Sequence, residues 1–390
     1  MADINVVLSG AIRDRQALEL ARSLPPSSRP PIDLGSNDYL GLARDGALIE
    51  AASRALRIHG TGSTGARLIS GNLSIHEELE KALADIKSTA AALLFPSGYQ
   101  AALGVIPALA GGGDLIVSDE LNHACLIDGC RMSRATVRVY SHNSLESARS
   151  ILADRRRFRR CLILTDGVFS MDGDIADLEG LAALRDEFDA WLMVDDAHGT
   201  GVLGATGAGS VELAGVASRV DVQMGTLSKA LGSSGGFIAG SRVLIDYLIN
   251  DARSFVYSTA PSPASSGAAL AALEIVRREP DRRQRLSDNA AYLRNGLRSI
   301  GLPIAAGQTP IIPIVLGSGE VVMRMAAELQ PRFGIAGIRP PTVPQGSSRL
   351  RVTVKATHTR EQIDSVVEAF DVTLRRFGLR QYVLDGMAIA

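Results

Sequence analysis

Lysine is scarce in this 390-residue chain: of 41 basic residues only Lys81, Lys87, Lys229 and Lys355 are lysines. Excess charge is lacking too. The formal net charge of −1 leaves no basic field for nucleic acid or an anionic membrane, so neither is an expected partner. The three cysteines, Cys125, Cys130 and Cys161, are odd in number and without paired CxxC spacing, which argues against a disulfide framework and a zinc ribbon. They predict reduced thiols in a cytoplasmic compartment. The longest apolar region, 90–110, is broken at Pro96-Ser97-Gly98 and again at Pro107, which argues against a membrane span. The start, Met1-Ala-Asp-Ile-Asn, lacks a basic residue followed by an apolar run and predicts no secretory signal. His76-Glu77-Glu78-Leu79-Glu80 is not HExxH, so no metal is expected.

What is present is length and alternation. At 390 residues one hydrophobic core stops growing, so two domains are expected. The spacing predicts a helix over about Ile12 to Leu24, stopped by the prolines of 25–31, and then a turn-rich segment, 33–42, apolar enough to pack somewhere specific. Gly60-Thr61-Gly62-Ser63-Thr64-Gly65 matches GxGxxG, but it follows a helical run where a dinucleotide fingerprint follows a strand. It reads as a glycine loop lining a site. Short apolar runs then alternate with helical stretches: 91–95, 115–118, 136–140, 161–165, 191–194, 220–225 and 236–239. That pattern predicts an α/β fold with a mostly parallel sheet covered on both faces. Beyond residue 279 a smaller α+β domain is expected, with a strand at 349–355 that turns Leu350, Val352 and Val354 to one face and Arg349, Arg351, Thr353 and Lys355 to the other. The divisions are an arm and linker over 1–40, a large domain over 41–278 and a small C-terminal domain over 279–390.

Polar residues gather where those runs end. They are Ser97-Gly98-Tyr99, Asp119 with Asn122 and His123, Asp166 with Ser170 and Asp172, Asp195-Asp196-Ala197-His198, and Lys229. Ligands of such sheets bind at the carboxyl ends of the strands. Each residue alone would be a cap or a turn residue; five clusters on one edge point to a site. Lys229 stands in Thr226-Leu227-Ser228-Lys229-Ala230-Leu231-Gly232-Ser233-Ser234-Gly235-Gly236, among hydroxyls and glycines. A lysine that bonds an aldehyde, a carboxylate that keeps a pyridine nitrogen protonated, and a helix-opening turn for a phosphate describe a pyridoxal 5'-phosphate site. Asp195, 34 residues before Lys229, suits the carboxylate role; His198 could reach the ring hydroxyl and His123 could lie over the ring.

The Lys229 segment resembles the cofactor-lysine signature of the class-II, fold-type-I pyridoxal phosphate enzymes. The stretches 36–41, 167–174, 195–199 and 347–351 are similar to the α-oxoamine synthases, and the likeness runs from about residue 10 to 375. The resemblance implies fold type I and the Schiff base at Lys229, with Asp195 on the pyridinium, His198 on the ring hydroxyl and His123 stacked on the ring. It further implies Ser170 and Thr226 as polar cofactor contacts, Gly98 and Tyr99 as phosphate donors, and Arg351 as clamp on the amino-acid carboxylate. Asn37, Arg22 and Thr342 would contact substrate. A homodimer is implied, with Thr259 reaching the partner's phosphate. Within the family, Arg339-Pro340-Pro341-Thr342-Val343-Pro344 is most similar to members that join L-alanine to pimeloyl-CoA. Members that use glycine with acetyl- or succinyl-CoA, or serine with a long acyl-CoA, are the rivals, and a non-catalytic subunit of the same fold is a more distant one. Ala102 departs from the family, where relatives often carry asparagine.

Overall fold

A computed structural model describes residues 3–17, 20, 21, 24 and 30–379. The first helix, α1, covers Ile4–Ala17 and buries no side chain. It lies further toward the N-terminus than the apolar spacing predicts; residues 20, 21 and 24 of the expected helix are not helical, and 18, 19, 22 and 23 lie outside the described residues.

The seven apolar runs are strands, β1 (Ala91–Phe95), β2 (Leu115–Asp119), β3 (Thr136–Tyr140), β4 (Cys161–Asp166), β5 (Trp191–Asp195), β6 (Val222–Thr226) and β7 (Gly236–Gly240). They form one sheet in the order β1-β7-β6-β5-β4-β2-β3. The β2–β6 pairings are parallel, and β7 runs antiparallel to both of its neighbours. Every residue of β1, β2, β4, β6 and β7 is buried, as strands covered on both faces must be, whereas edge strand β3 exposes Thr136, Val137 and Val139. Apolar clusters cover both sides, one around Leu79, Leu83, Phe237 and Leu273, another around Val105, Ile106, Leu126 and Met193. Helix α2 (Gly46–His59) precedes the Gly60–Gly65 loop, and α3 (Ser74–Ile86) turns Leu79 and Leu83 inward.

Helix α4 (Gly98–Leu109) starts where β1 ends, capped by the Ser97 side chain accepting the Gln100 N–H at 3.1 Å. Helix α5 (Ala124–Met132) follows β2 and is capped by His123. The two helices pack closely: a Cβ added to Gly129 would lie 3.1 Å from the Ala102 carbonyl oxygen. Ala102 is fully buried there, so a small side chain suits the crossing.

A second, antiparallel sheet joins β8 (Ile311–Gly317), β9 (Ala336–Ile338) and β10 (Ser348–Thr353) in the order β8-β10-β9. Leu350, Val352 and Val354 sit in its apolar cluster with Leu34. The basic face of β10 is turned onto the large sheet rather than to solvent. Arg349 pairs with Asp172, Arg351 Nε donates to the Ser170 carbonyl at 2.6 Å, and Thr353 Oγ1 donates to the carbonyls of Leu34 and Ser36 at 2.7 and 2.8 Å. The turn-rich segment 33–42 is thereby held between the two sheets, with Tyr39, Leu40 and Leu42 buried.

Candidate active site

Parallel strands end together, so the residues that follow them converge. One cavity at that edge is lined by Ser97, Gly98, Tyr99, His123, Asp195, His198, Thr226 and Lys229, together with Cys125, Asp166 and Ser228. Four of the five polar clusters contribute a named candidate to it, and the Asp166 cluster contributes Asp166 itself.

Lys229 has no side-chain hydrogen bond or ion pair among the described residues. Burial pulls its amine below the usual lysine range, while the charges of Asp195 and Asp166 oppose that pull. A buried amine without a partner sheds its proton more easily and is a better nucleophile. The hydroxyl of Thr226 bridges Ser228 Oγ at 2.7 Å and the Gly235 carbonyl at 2.9 Å, which shapes the loop that carries the lysine.

Asp195 ends β5 and is buried; one oxygen accepts the Ala197 N–H at 3.0 Å, and the other has the Cys125 thiol 3.9 Å away. Burial raises its carboxyl above the ordinary range, opposed by the positive charges of Lys229 and His123. His198 shares a 2.6 Å hydrogen bond between its Nδ1 and the Tyr39 hydroxyl. Burial holds the His198 imidazole well below its ordinary value, so it is neutral at physiological pH. Burial also pushes the Tyr39 phenol up to about 12. Tyr39 in turn reaches Asn37 Oδ1 at 3.1 Å, which accepts from Arg351 Nη2 at 3.1 Å. A continuous chain of contacts thus runs from the small sheet's arginine to the histidine of the cavity.

His123 accepts the Cys125 N–H through Nδ1 at 3.2 Å, and burial lowers its imidazole below the ordinary value. The Gly98 and Tyr99 N–H groups open α4 and have no carbonyl one turn back, so they are available to an anion. A Cβ on Gly236 would come within 2.5 Å of the Gly98 nitrogen, so glycine is needed for this close approach of β7 to the turn.

The remaining candidates do not line this cavity. Ser170, Asn37 and Arg351 adjoin it through the contacts just given. Thr259 pairs with Ala66 in an isolated bridge, and Thr342 is exposed; neither lines the cavity of its own chain. Arg22 lies outside the described residues. The Gly60–Gly65 loop, expected to line a site, does not touch this one; its Ser63 hydroxyl donates to the Pro261 carbonyl at 2.6 Å. Tyr39 was given no part by sequence reasoning. Its place in the Ser36–Gly41 motif could have flagged it, but its contact with His198 is 159 residues distant in sequence.

These residues fit pyridoxal phosphate. A partnerless amine, a buried carboxylate with one oxygen short of donors, and two free helix-opening N–H groups meet the needs of an aldehyde, a ring nitrogen and a phosphate. Among the described residues no group of histidine, cysteine and carboxylate side chains could hold a metal ion, and no helix is long and apolar enough to cross a membrane.

The family model described as "Aminotransferase class I and II" matches residues 29–370. An 8-amino-7-oxononanoate synthase from Geobacter metallireducens is 51% identical, with 86% of each chain covered, and one from Geotalea daltonii is 49% identical, with 89% of each covered. Among solved structures, a Serine Palmitoyltransferase variant from S. paucimobilis with a bound PLP–myriocin adduct superposes with a TM-score of 0.89 at 29% identity, over 97% of this chain and 100% of that one. An 8-amino-7-oxononanoate synthase from Francisella tularensis gives 0.75 at 27% identity, over 89% of this chain and 98% of that one. The chain therefore belongs to the class I and II aminotransferase family and, within it, to the 8-amino-7-oxononanoate synthases.

Proposed function

We propose that the protein condenses L-alanine with pimeloyl-CoA to 8-amino-7-oxononanoate, releasing CoA and carbon dioxide, as a cytoplasmic step of biotin biosynthesis. The observation that carries this reading is the partnerless Lys229 amine in one cavity with Asp195 and His198, in a chain about half identical to synthases of that name. Pyridoxal 5'-phosphate, when bound, supplies an aldehyde and a ring that takes up the electron pair left on the amino-acid α-carbon.

The side chains do the rest. Lys229, its proton loosened by burial, would hold the aldehyde carbon with loss of water; once the alanine amine displaces it, its free amine removes and returns the proton at the alanine α-carbon. Asp195 would pair with the ring nitrogen, and His198, oriented by Tyr39, would meet the ring hydroxyl. His123 would cover the ring. Thr226 and Ser170 would add polar contacts, while Gly98 and Tyr99 would hold the phosphate. Arg351, fixed by Ser170 and Asn37, offers its planar fork to the alanine carboxylate, with Asn37 beside it. Arg22 and Thr342 contact the acyl substrate. A homodimer brings Thr259 to the partner's phosphate. The chain divides into 1–40, 41–278 and 279–390; separate apolar clusters around the two sheets support that division.

The test is the product formed from alanine and pimeloyl-CoA by purified protein, identified by mass spectrometry. Preference for glycine or serine would overturn the choice of amino acid. The likeness to Serine Palmitoyltransferase structures makes serine with a long acyl-CoA the second reading, and the same substrate panel decides it.

A further inference from the structure

Asp166 has no part in the reading above, yet it lines the same cavity. It ends β4 in register with Asp195 at the end of β5. Neighbouring strands lie about 4.8 Å apart, and residues in register present their side chains to the same face. The two carboxyl groups are therefore side by side. Asp166 is 3% exposed and Asp195 5%. The Asp166 Oδ1 is buried with no hydrogen-bond partner. An ionised carboxylate buried with an oxygen unsatisfied is costly; a protonated one needs only an acceptor.

Two adjacent buried carboxyls cannot both ionise, so the groups around them decide which keeps the proton. Asp195 has the Ala197 N–H and the charges of Lys229 and His123 in favour of its anion, with Asp196 against it. Asp166 faces the Asp195 charge first, with Lys229 a weaker counterweight and Asp119 a further negative group; the Cys125 thiol of α5 stands nearby with its proton retained by burial. Burial and the Asp195 charge push the Asp166 carboxyl well above its ordinary range.

We propose that Asp166 is a positioning residue that bears a proton, a neutral carboxylic acid whose Oδ1–H donates to Asp195 and keeps that neighbour ionised and fixed in place. Its service to the cofactor, through Asp195, rests on the reading of the site given above; its protonation does not.

Infrared difference spectra of the cofactor-free protein at neutral pH test it directly. The carbonyl band of a protonated carboxyl is expected in the parent and absent in Asp166→Asn. No such band, or one unchanged in Asp166→Asn, overturns the proposal whatever the substrates prove to be. In the holoenzyme, Asp166→Asn supplies a neutral donor of the same shape. It should keep the dissociation constant for pyridoxal phosphate within about threefold and leave the pH dependence of the Lys229-linked absorbance in place. Asp166→Val removes the donor, so Asp195 protonates more readily and the acid limb of cofactor binding moves up by about one pH unit. A shift in Asp166→Asn as large as in Asp166→Val overturns the proposal, because it would mean that a charge and not a hydrogen bond had been lost. If Asp166→Val does not fold, the infrared band and the Asn variant still decide. Failure of Asp195→Ala to weaken cofactor binding would sink the site reading and leave the infrared result standing.

Discussion

Lys87 and Lys229 are both withdrawn from water, and both stand near the adjacent carboxylates Asp195 and Asp196 at the end of β5. Lys87 is fully enclosed: its amine pairs with Asp196 at 2.8 Å and donates to the Ala208 carbonyl at 2.5 Å. Asp196 is equally well served, accepting from the Ser210 N–H at 3.0 Å and the Ser210 hydroxyl at 2.6 Å. Lys229 has no such partner, and Asp195, adjacent to Asp196 in sequence, has one short bond. A satisfied buried pair holds structure. A buried group left short of partners is available for chemistry.

Exchange of roles would break this comparison. Lys229→Ala should abolish condensation and the visible absorbance of the bound cofactor, yet leave the urea midpoint near that of the parent, since no hydrogen bond is lost; a spectrum that survives the change would refute the assignment. Asp195→Ala should lower kcat by about 10²- to 10³-fold, as loss of a preorganised charge does. Parent-like turnover would remove Asp195 from the mechanism. Lys87→Met should act in the opposite sense, costing about 3–5 kcal/mol of stability by leaving Asp196 buried and unpaired, with kcat per folded molecule changed far less. Urea titration beside active-site counting separates the two effects. Tyr39→Phe is milder: losing one hydrogen bond to His198 should cost about tenfold or less in kcat.

The smallest effect concerns two histidines in opposite settings. His142, between Asp119 and Asp174 at 3.0 and 2.8 Å, is raised by those bonds from its ordinary 6.5 to about 10. Its contribution to stability is fully present below 6.5 and fades as pH rises through about 10. His76 is lowered by burial from 6.5 to about 4, so its contribution is present above 6.5 and fades as pH falls through about 4. Denaturation followed across pH should lose its alkaline slope in His142→Gln and part of its acid slope in His76→Gln. Unchanged profiles would show that neither group is linked to folding.

Much of this was legible along the chain. The seven strands lie where their apolar runs are, because a strand covered on both faces leaves no room for polar residues. Lys229, Asp195, His198 and His123 were legible for a related reason: chemistry-bearing residues directly follow buried strands. The first helix was misplaced because its residues are exposed and periodicity only marks a face that packs. Tyr39 and Asp166 escaped assignment because their roles depend on Tyr39 meeting His198 and on Asp166 lying in register with Asp195.

The amino-acid order alone determined the alternation of strands and helices, the edge at which polar residues collect and the kind of cofactor they suit, since each is a local consequence of burial and residue chemistry. Tertiary structure decided which of two buried lysines is left without a partner, and that the arginine face of β10 locks onto the segment before α2. Those outcomes depend on distances between residues far apart in the chain, which only packing fixes.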